Sequence, residues 1–111
     1  MELEQAVQAE LERALRARAK NNEGQARVCA RRAAGIAARP YLARRAPRAV
    51  HASAYDLLRL LQEDPALPAE MRSAAEHLTL RVTEEFKLPI HADLVEEAQK
   101  LCQWLLNEGK K

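Results

Sequence analysis

Apolar and polar positions along this chain alternate with helical spacing in almost every segment. From Leu3 to about Lys20, the apolar residues Leu3, Val7, Leu11, Ala14 and Leu15 recur every few residues, until Asn21-Asn22-Glu23-Gly24 breaks the pattern. A second helix is predicted from about Gln25 to Leu42. Its inner face is small, made of Ala26, Cys29, Ala33, Ile36 and Ala37 with Gly35 beside them, so a neighbouring helix can approach closely. A larger side chain at Ala33 is expected to overpack that contact. Pro40 should kink or end the helix, and Pro47 marks the connector beyond it.

Ser53 suits the N-cap of a short third helix whose buried side is Tyr55, Leu57, Leu58 and Leu61, halted by Asp64-Pro65. Tyr55 is expected to pack with its hydroxyl hydrogen-bonded, and Asp56 to favour the positive end of the helix dipole. Pro68 fits the first turn of a fourth helix that carries Leu67, Met71, Ala74, Ala75, Leu78 and Val82 inward and runs to about Phe86. After Leu88-Pro89-Ile90, His91 or Asp93 opens a fifth helix with Leu94, Ala98, Leu101, Cys102 and Leu105 on one face and Trp104 beside it.

Composition agrees with an all-α fold. The chain has 22 alanines, and its few β-branched and aromatic residues never alternate. Its 111 residues suffice for one domain, 1–111, with its own hydrophobic core. Met-Glu-Leu-Glu is not a secretory leader, and no apolar run approaches the roughly 20 residues that span a bilayer. A soluble cytoplasmic protein without membrane contact is expected. Cys29 and Cys102 lie 73 positions apart within helical patterns, which favours buried reduced thiols over a disulfide or metal site.

Charge changes the picture most. Between Gly24 and Tyr55 there is no acidic residue, yet the segment holds seven arginines, Arg27, Arg31, Arg32, Arg39, Arg44, Arg45 and Arg48, together with His51. Such a run repels itself unless an anion relieves it, and the arginine fork matches carboxylate or phosphate. Residues 1–50 carry a net +6 and residues 51–111 a net −4. A molecule so divided can pair with itself, so a homodimer competes with phosphate as the explanation. Tyr41 or Trp104, if exposed, would anchor it.

The segment Glu23-Gly-Gln-Ala-Arg-Val-Cys-Ala-Arg-Arg-Ala-Ala-Gly-Ile-Ala37, then Tyr55-Asp-Leu-Leu-Arg-Leu-Leu61, Leu67-Pro-Ala-Glu70 and Ala92-Asp-Leu-Val-Glu-Glu-Ala98 leading to Trp104 together resemble the HEPN domain family. The resemblance covers nearly the whole chain and rests on helix order, loop placement and small-residue pattern. It implies an up-and-down helical bundle of four main helices plus a short helix, often dimeric and often paired with a small nucleotidyltransferase. Many branches of the family cleave RNA with an arginine and a histidine four to six positions later.

Arginine can stabilise charge on a pentavalent phosphate while histidine moves a proton near neutral pH. Arg72 and His77 match the spacing, but five residues of helix turn them roughly 140° apart. Arg44 or Arg45 with His51 also matches, and the Pro47 connector can fold back. Arg81 and His91 are ten positions apart, too far for the motif.

Other chemistries lack their residues. The positions three before His51, His77 and His91 are Arg48, Ala74 and Leu88, so the Glu-x-x-His of a di-metal bundle is missing. There is no Gly-rich phosphate loop and no Gly-x-Ser-x-Gly elbow. No compact helix-turn-helix is evident, and Tyr41 is the only aromatic residue in the basic run, which argues against base stacking. No metal or cofactor is expected.

Two function classes remain. The preferred one is a non-catalytic, dimerising interaction module that presents Arg31, Arg32, Arg39, Arg44, Arg45, Arg48 and His51 to a nucleotidyltransferase partner, a nucleotide or RNA. The other is a metal-independent endoribonuclease using Arg45 and His51.

Overall fold

The computed structural model describes residues 2–80 and 93–108. Among these the chain is helical throughout, with α1 (Glu2–Ala19), α2 (Glu23–Ala43), a 3-10 segment (Pro47–His51), α3 (Ala54–Gln62), α4 (Ala69–Leu78) and α5 (Leu94–Glu108).

The break between α1 and α2 is tighter than the sequence implies. Asn21 adopts φ 61°, a left-handed conformation asparagine tolerates, while the Asn22 N–H bonds the Ala17 carbonyl at 2.8 Å. Asn22 then caps α2, its side chain accepting from the Gln25 N–H at 3.1 Å. Glu23 and Gly24 already belong to α2.

Helix α2 is the centre of the fold. It packs against α1, α3, α5 and the 3-10 segment and touches α4, so it must be small on most sides. Ala30, Ala34 and Ala38 join Ala26, Cys29, Ala33 and Ala37 in the core, whereas Ile36 is only half-buried. Gly35 marks the closest approach, lying against Ala54 at the start of α3. Pro40 does not end the helix, which continues to Ala43. Proline removes one backbone bond, but Tyr41 and Leu42 beyond it are buried and their packing holds the last turn.

Ser53 caps α3 as expected, accepting from the Asp56 N–H at 3.1 Å, and Leu57, Leu58 and Leu61 are fully buried. Tyr55 is 39% exposed instead of packed. Helix rotation places it roughly 115° from the middle of the leucine stripe. Pro68 stands just before α4, which stops at Leu78 and does not run on to Phe86. Thr79 turns the chain there, its hydroxyl donating to the Glu76 carbonyl at 2.8 Å and accepting from Gln62 Nε2 at 3.3 Å. Val82 and Phe86 lie outside the described residues.

Asp93 caps α5 by accepting from the Glu96 N–H at 3.1 Å. Its carboxyl sits below the ordinary range; burial opposes this, but that N–H and the Arg18 guanidinium outweigh it. His91, the other expected opener, lies outside the described residues. Leu94, Val95, Ala98, Leu101, Cys102 and Leu105 face inward. Cys29 and Cys102 are both buried and free, and burial pushes the Cys102 thiol up to about 12. Among the described residues, no helix is long and apolar enough to cross a membrane.

Candidate anion-binding surface

The structure divides the arginine run. Arg31 Nε donates to the Leu78 carbonyl at 2.8 Å, closing the C-terminus of α4 from a helix 47 positions earlier in the chain. Arg39 Nη2 donates to the Ala52 carbonyl at 2.7 Å, fixing the exit of the 3-10 segment. Both guanidinium groups neutralise the negative end of a helical turn. Arg31→Met, which keeps the apolar stem but leaves that carbonyl without its donor, should therefore cost about 1–2 kcal/mol in urea unfolding.

Arg45 is held differently. Its guanidinium lies 4.1 Å from the centre of the Tyr41 ring, donates to the Tyr41 carbonyl at 3.3 Å, and stands 3.9 Å from Asp64 Oδ2. Tyr41 is buried, so it is not the exposed dimer anchor expected from sequence. Its hydroxyl donates to Asp64 Oδ2 at 2.6 Å, and its ring meets Trp104 edge-on at 5.6 Å. Burial, reinforced by the Asp64 carboxylate, raises the Tyr41 hydroxyl to about 12. Asp64 lies below its ordinary value: burial opposes this, but the Tyr41 hydroxyl, the Ala66 N–H and the charges of Arg45 and Arg72 prevail.

The rest of the predicted set is exposed. The side chains of Arg32, Arg44, Arg48 and His51 make no intramolecular hydrogen bond or ion pair among the described residues. They do not form one patch. Arg44, Arg48 and His51 cluster in sequence beyond the end of α2, whereas Arg32 lies twelve residues earlier, about 18 Å along the helix axis.

No candidate arginine–histidine pair is joined by a hydrogen bond among the described residues. Arg45 is committed to Tyr41 and Asp64. Arg72 Nη2 donates to the Leu67 carbonyl at 2.9 Å, while His77 Nδ1 bonds Glu97 Oε1 at 2.7 Å, so this pair serves separate contacts. Arg81 and His91 lie outside the described residues.

Arg32 instead meets cations from α1. Together with Arg13, Arg16 and Lys20 it lines an open groove of about 310 Å³ whose other walls include Asn22 and Gln25. Among the described residues no carboxylate lines this groove; Arg13 bonds Glu10 at 2.8 Å beside it. Arg16 and Lys20 have no such partner among the described residues. Reading the acid-free run alone misses these three residues. Their signal was the 13, 16, 20 spacing, which puts three cations on one helical stripe. Arg18 turns elsewhere and bonds Glu23 at 2.9 Å and Asp93 at 2.8 Å. A larger depression of about 610 Å³ separates α1 from α5, but its walls mix carboxamides such as Gln5, Gln8, Gln99 and Gln103 with apolar Val7, Leu11 and Leu106, and Glu4 is the one charged residue among those described. It holds no cluster of charge.

No family model, curated protein or solved structure matches the chain.

Proposed function

We propose that this chain is a HEPN-like interaction module, an up-and-down bundle that acts by binding and not by catalysis, with its partner surface beyond the end of α2. The supporting observation is the division within the arginine run. Arg31, Arg39 and Arg45 are taken up by carbonyls, a ring and a carboxylate, whereas Arg44, Arg48 and His51 stay exposed and unpartnered within eight residues. Cations so grouped favour an anion between them, and guanidinium suits phosphate in particular. Phosphate on a nucleotide, on RNA, or on a nucleotide carried by a nucleotidyltransferase partner supplies that chemistry. Arg45 lies over Tyr41, which engages the arginine that the cleavage reading pairs with His51.

Opposite net charge on the two halves of the chain supports a two-fold homodimer. The anchor would be Trp104, half-buried at the edge of the core. Free thiols at Cys29 and Cys102 suit a reducing cytoplasm.

Titration of a short labelled RNA and a labelled nucleotide across a salt series tests the reading. Arg44→Ala with Arg48→Ala should weaken binding and flatten the salt dependence by about one unit per lost phosphate contact. Unchanged affinity in the double variant would remove this surface from consideration. Cleavage of RNA by the parent, lost in a folded His51→Ala variant, would replace the binding module with an endoribonuclease.

A further inference from the structure

We propose that the groove between the second half of α1 and the first half of α2 is a separate anion site that takes a run of consecutive phosphate groups and reads them by charge alone. It goes beyond the surface near Arg44 and does not depend on it. Arg13, Arg16, Lys20 and Arg32 surround one depression of about 310 Å³. Two cations elsewhere in the fold are neutralised by acids, Arg18 by Glu23 and Asp93 and Lys100 by Glu70 and Glu96, whereas Arg44 and Arg48 share the lack of an acidic partner among the described residues. Among the described residues only Arg13 of the groove has one, Glu10, and the other three have none. Like charges gathered on a concave wall focus a positive potential there.

The lining also narrows the class of ligand. Among the described residues no aromatic side chain borders the groove, so they offer a nucleobase nothing to stack on. There is no glycine-rich turn whose backbone N–H groups could converge on one phosphate. The α1 cations are spread over eight residues, about 10 Å of helix rise, which is longer than a single phosphate group. Asn22 and Gln25 add neutral polar groups to the walls. An extended chain of phosphates, as in polyphosphate or a polynucleotide backbone, satisfies this arrangement. A lone nucleotide leaves most of it unused.

The test titrates the parent, the groove variant Arg16→Gln/Lys20→Gln/Arg32→Gln and the control Arg44→Gln/Arg48→Gln with long-chain polyphosphate, single-stranded RNA homopolymers of different base, and ATP. Polymer binding should be indifferent to the base, at least tenfold tighter than ATP, and weakened at least tenfold in the groove variant. The salt slope should drop by about two units, from a slope of roughly 0.7 per phosphate contact on a single strand. Polyphosphate binding without RNA binding, or the reverse, supports the site and identifies the source of the phosphates. Loss of polymer binding in the control alone overturns this site and leaves the surface near Arg44 standing; loss in the groove variant alone does the opposite. Equal affinity for ATP, or a preference among bases, also overturns it. Amide shifts of Asn22 and Gln25 on adding polyphosphate give a readout on the parent itself, and their absence would sink the proposal without reference to any variant.

Discussion

Gly35→Ala should destabilise the protein by about 1–3 kcal/mol, the usual cost of overpacking a filled interior. On an exposed helix the same change gains about 0.5–1 kcal/mol, because alanine restricts the unfolded chain more than glycine does. Packing reverses the sign here. A Cβ built at Gly35 would lie 2.6 Å from Ala54 Cβ and 3.0 Å from Ala54 Cα. The latter is backbone, so no flexible side-chain end can swing aside, and α2 and α3 must separate. Thermal unfolding of Gly35→Ala reads the loss directly. Ala54→Gly in the same background should recover part of it, because it removes the opposing Cβ and leaves the tight approach to the Cα. A single variant that melts at or above the parent, or a pair that melts no higher than the single, would mean that the two helices are not in contact there.

Tyr41→Phe should cost about 1.5–3 kcal/mol, the range for a hydrogen bond to a charged partner. The ring stays, and with it the edge contact to Trp104 and the face offered to Arg45; only the 2.6 Å bond to Asp64 disappears. Dependence on pH separates this hydroxyl from mere bulk. Burial and Asp64 raise Tyr41 to about 12 from the ordinary tyrosine value of about 10, so its contribution is complete below about pH 10 and is lost as pH climbs toward 12. Asp64 is depressed instead. Its contribution is complete above the unfolded value of about 3.9 and is lost as pH falls through the folded one. Stability of the parent should fall off at both extremes. Tyr41→Phe should flatten the alkaline limb, and Asp64→Asn should weaken the acid limb, leaving the part that Asp93 supplies. An alkaline limb equally steep in Tyr41→Phe would show that the bond does not titrate with folding.

Local patterns carried most of the helical layout. Ser53, Asn22 and Asp93 cap helices through contacts within three residues, so neighbouring letters suffice to place them. The stripes of α3 and α5 likewise follow from spacing alone. What spacing misses is decided at a distance. Pro40 signals an end to α2 locally, but burial of Tyr41 and Leu42 carries the helix past it. The end of α4 at Leu78 is stabilised by Gln62 and Arg31, residues 17 and 47 positions from their partners.

The arginines show the limit most clearly. Seven of them look alike in a sequence, yet one closes α4, one fixes the 3-10 segment and one lies on a tyrosine. Only folding distinguishes these from Arg27, Arg32, Arg44 and Arg48. The cations of α1 stand outside the acid-free run because Glu23 separates them from it in the chain, although in space no carboxylate among the described residues lines the groove they share with Arg32.

The central place of α2 has a consequence for how the molecule comes apart. Each described helix rests on it, so none can detach without baring part of a surface made largely of alanine, which offers little apolar area to hold a partial structure together. Local openings should therefore stay confined to helix ends, and the amides of Ala30 to Ala38 should exchange with solvent only when the whole chain unfolds. Hydrogen exchange there would measure global stability, and the ends of the same helix would report ligand binding at either cationic surface.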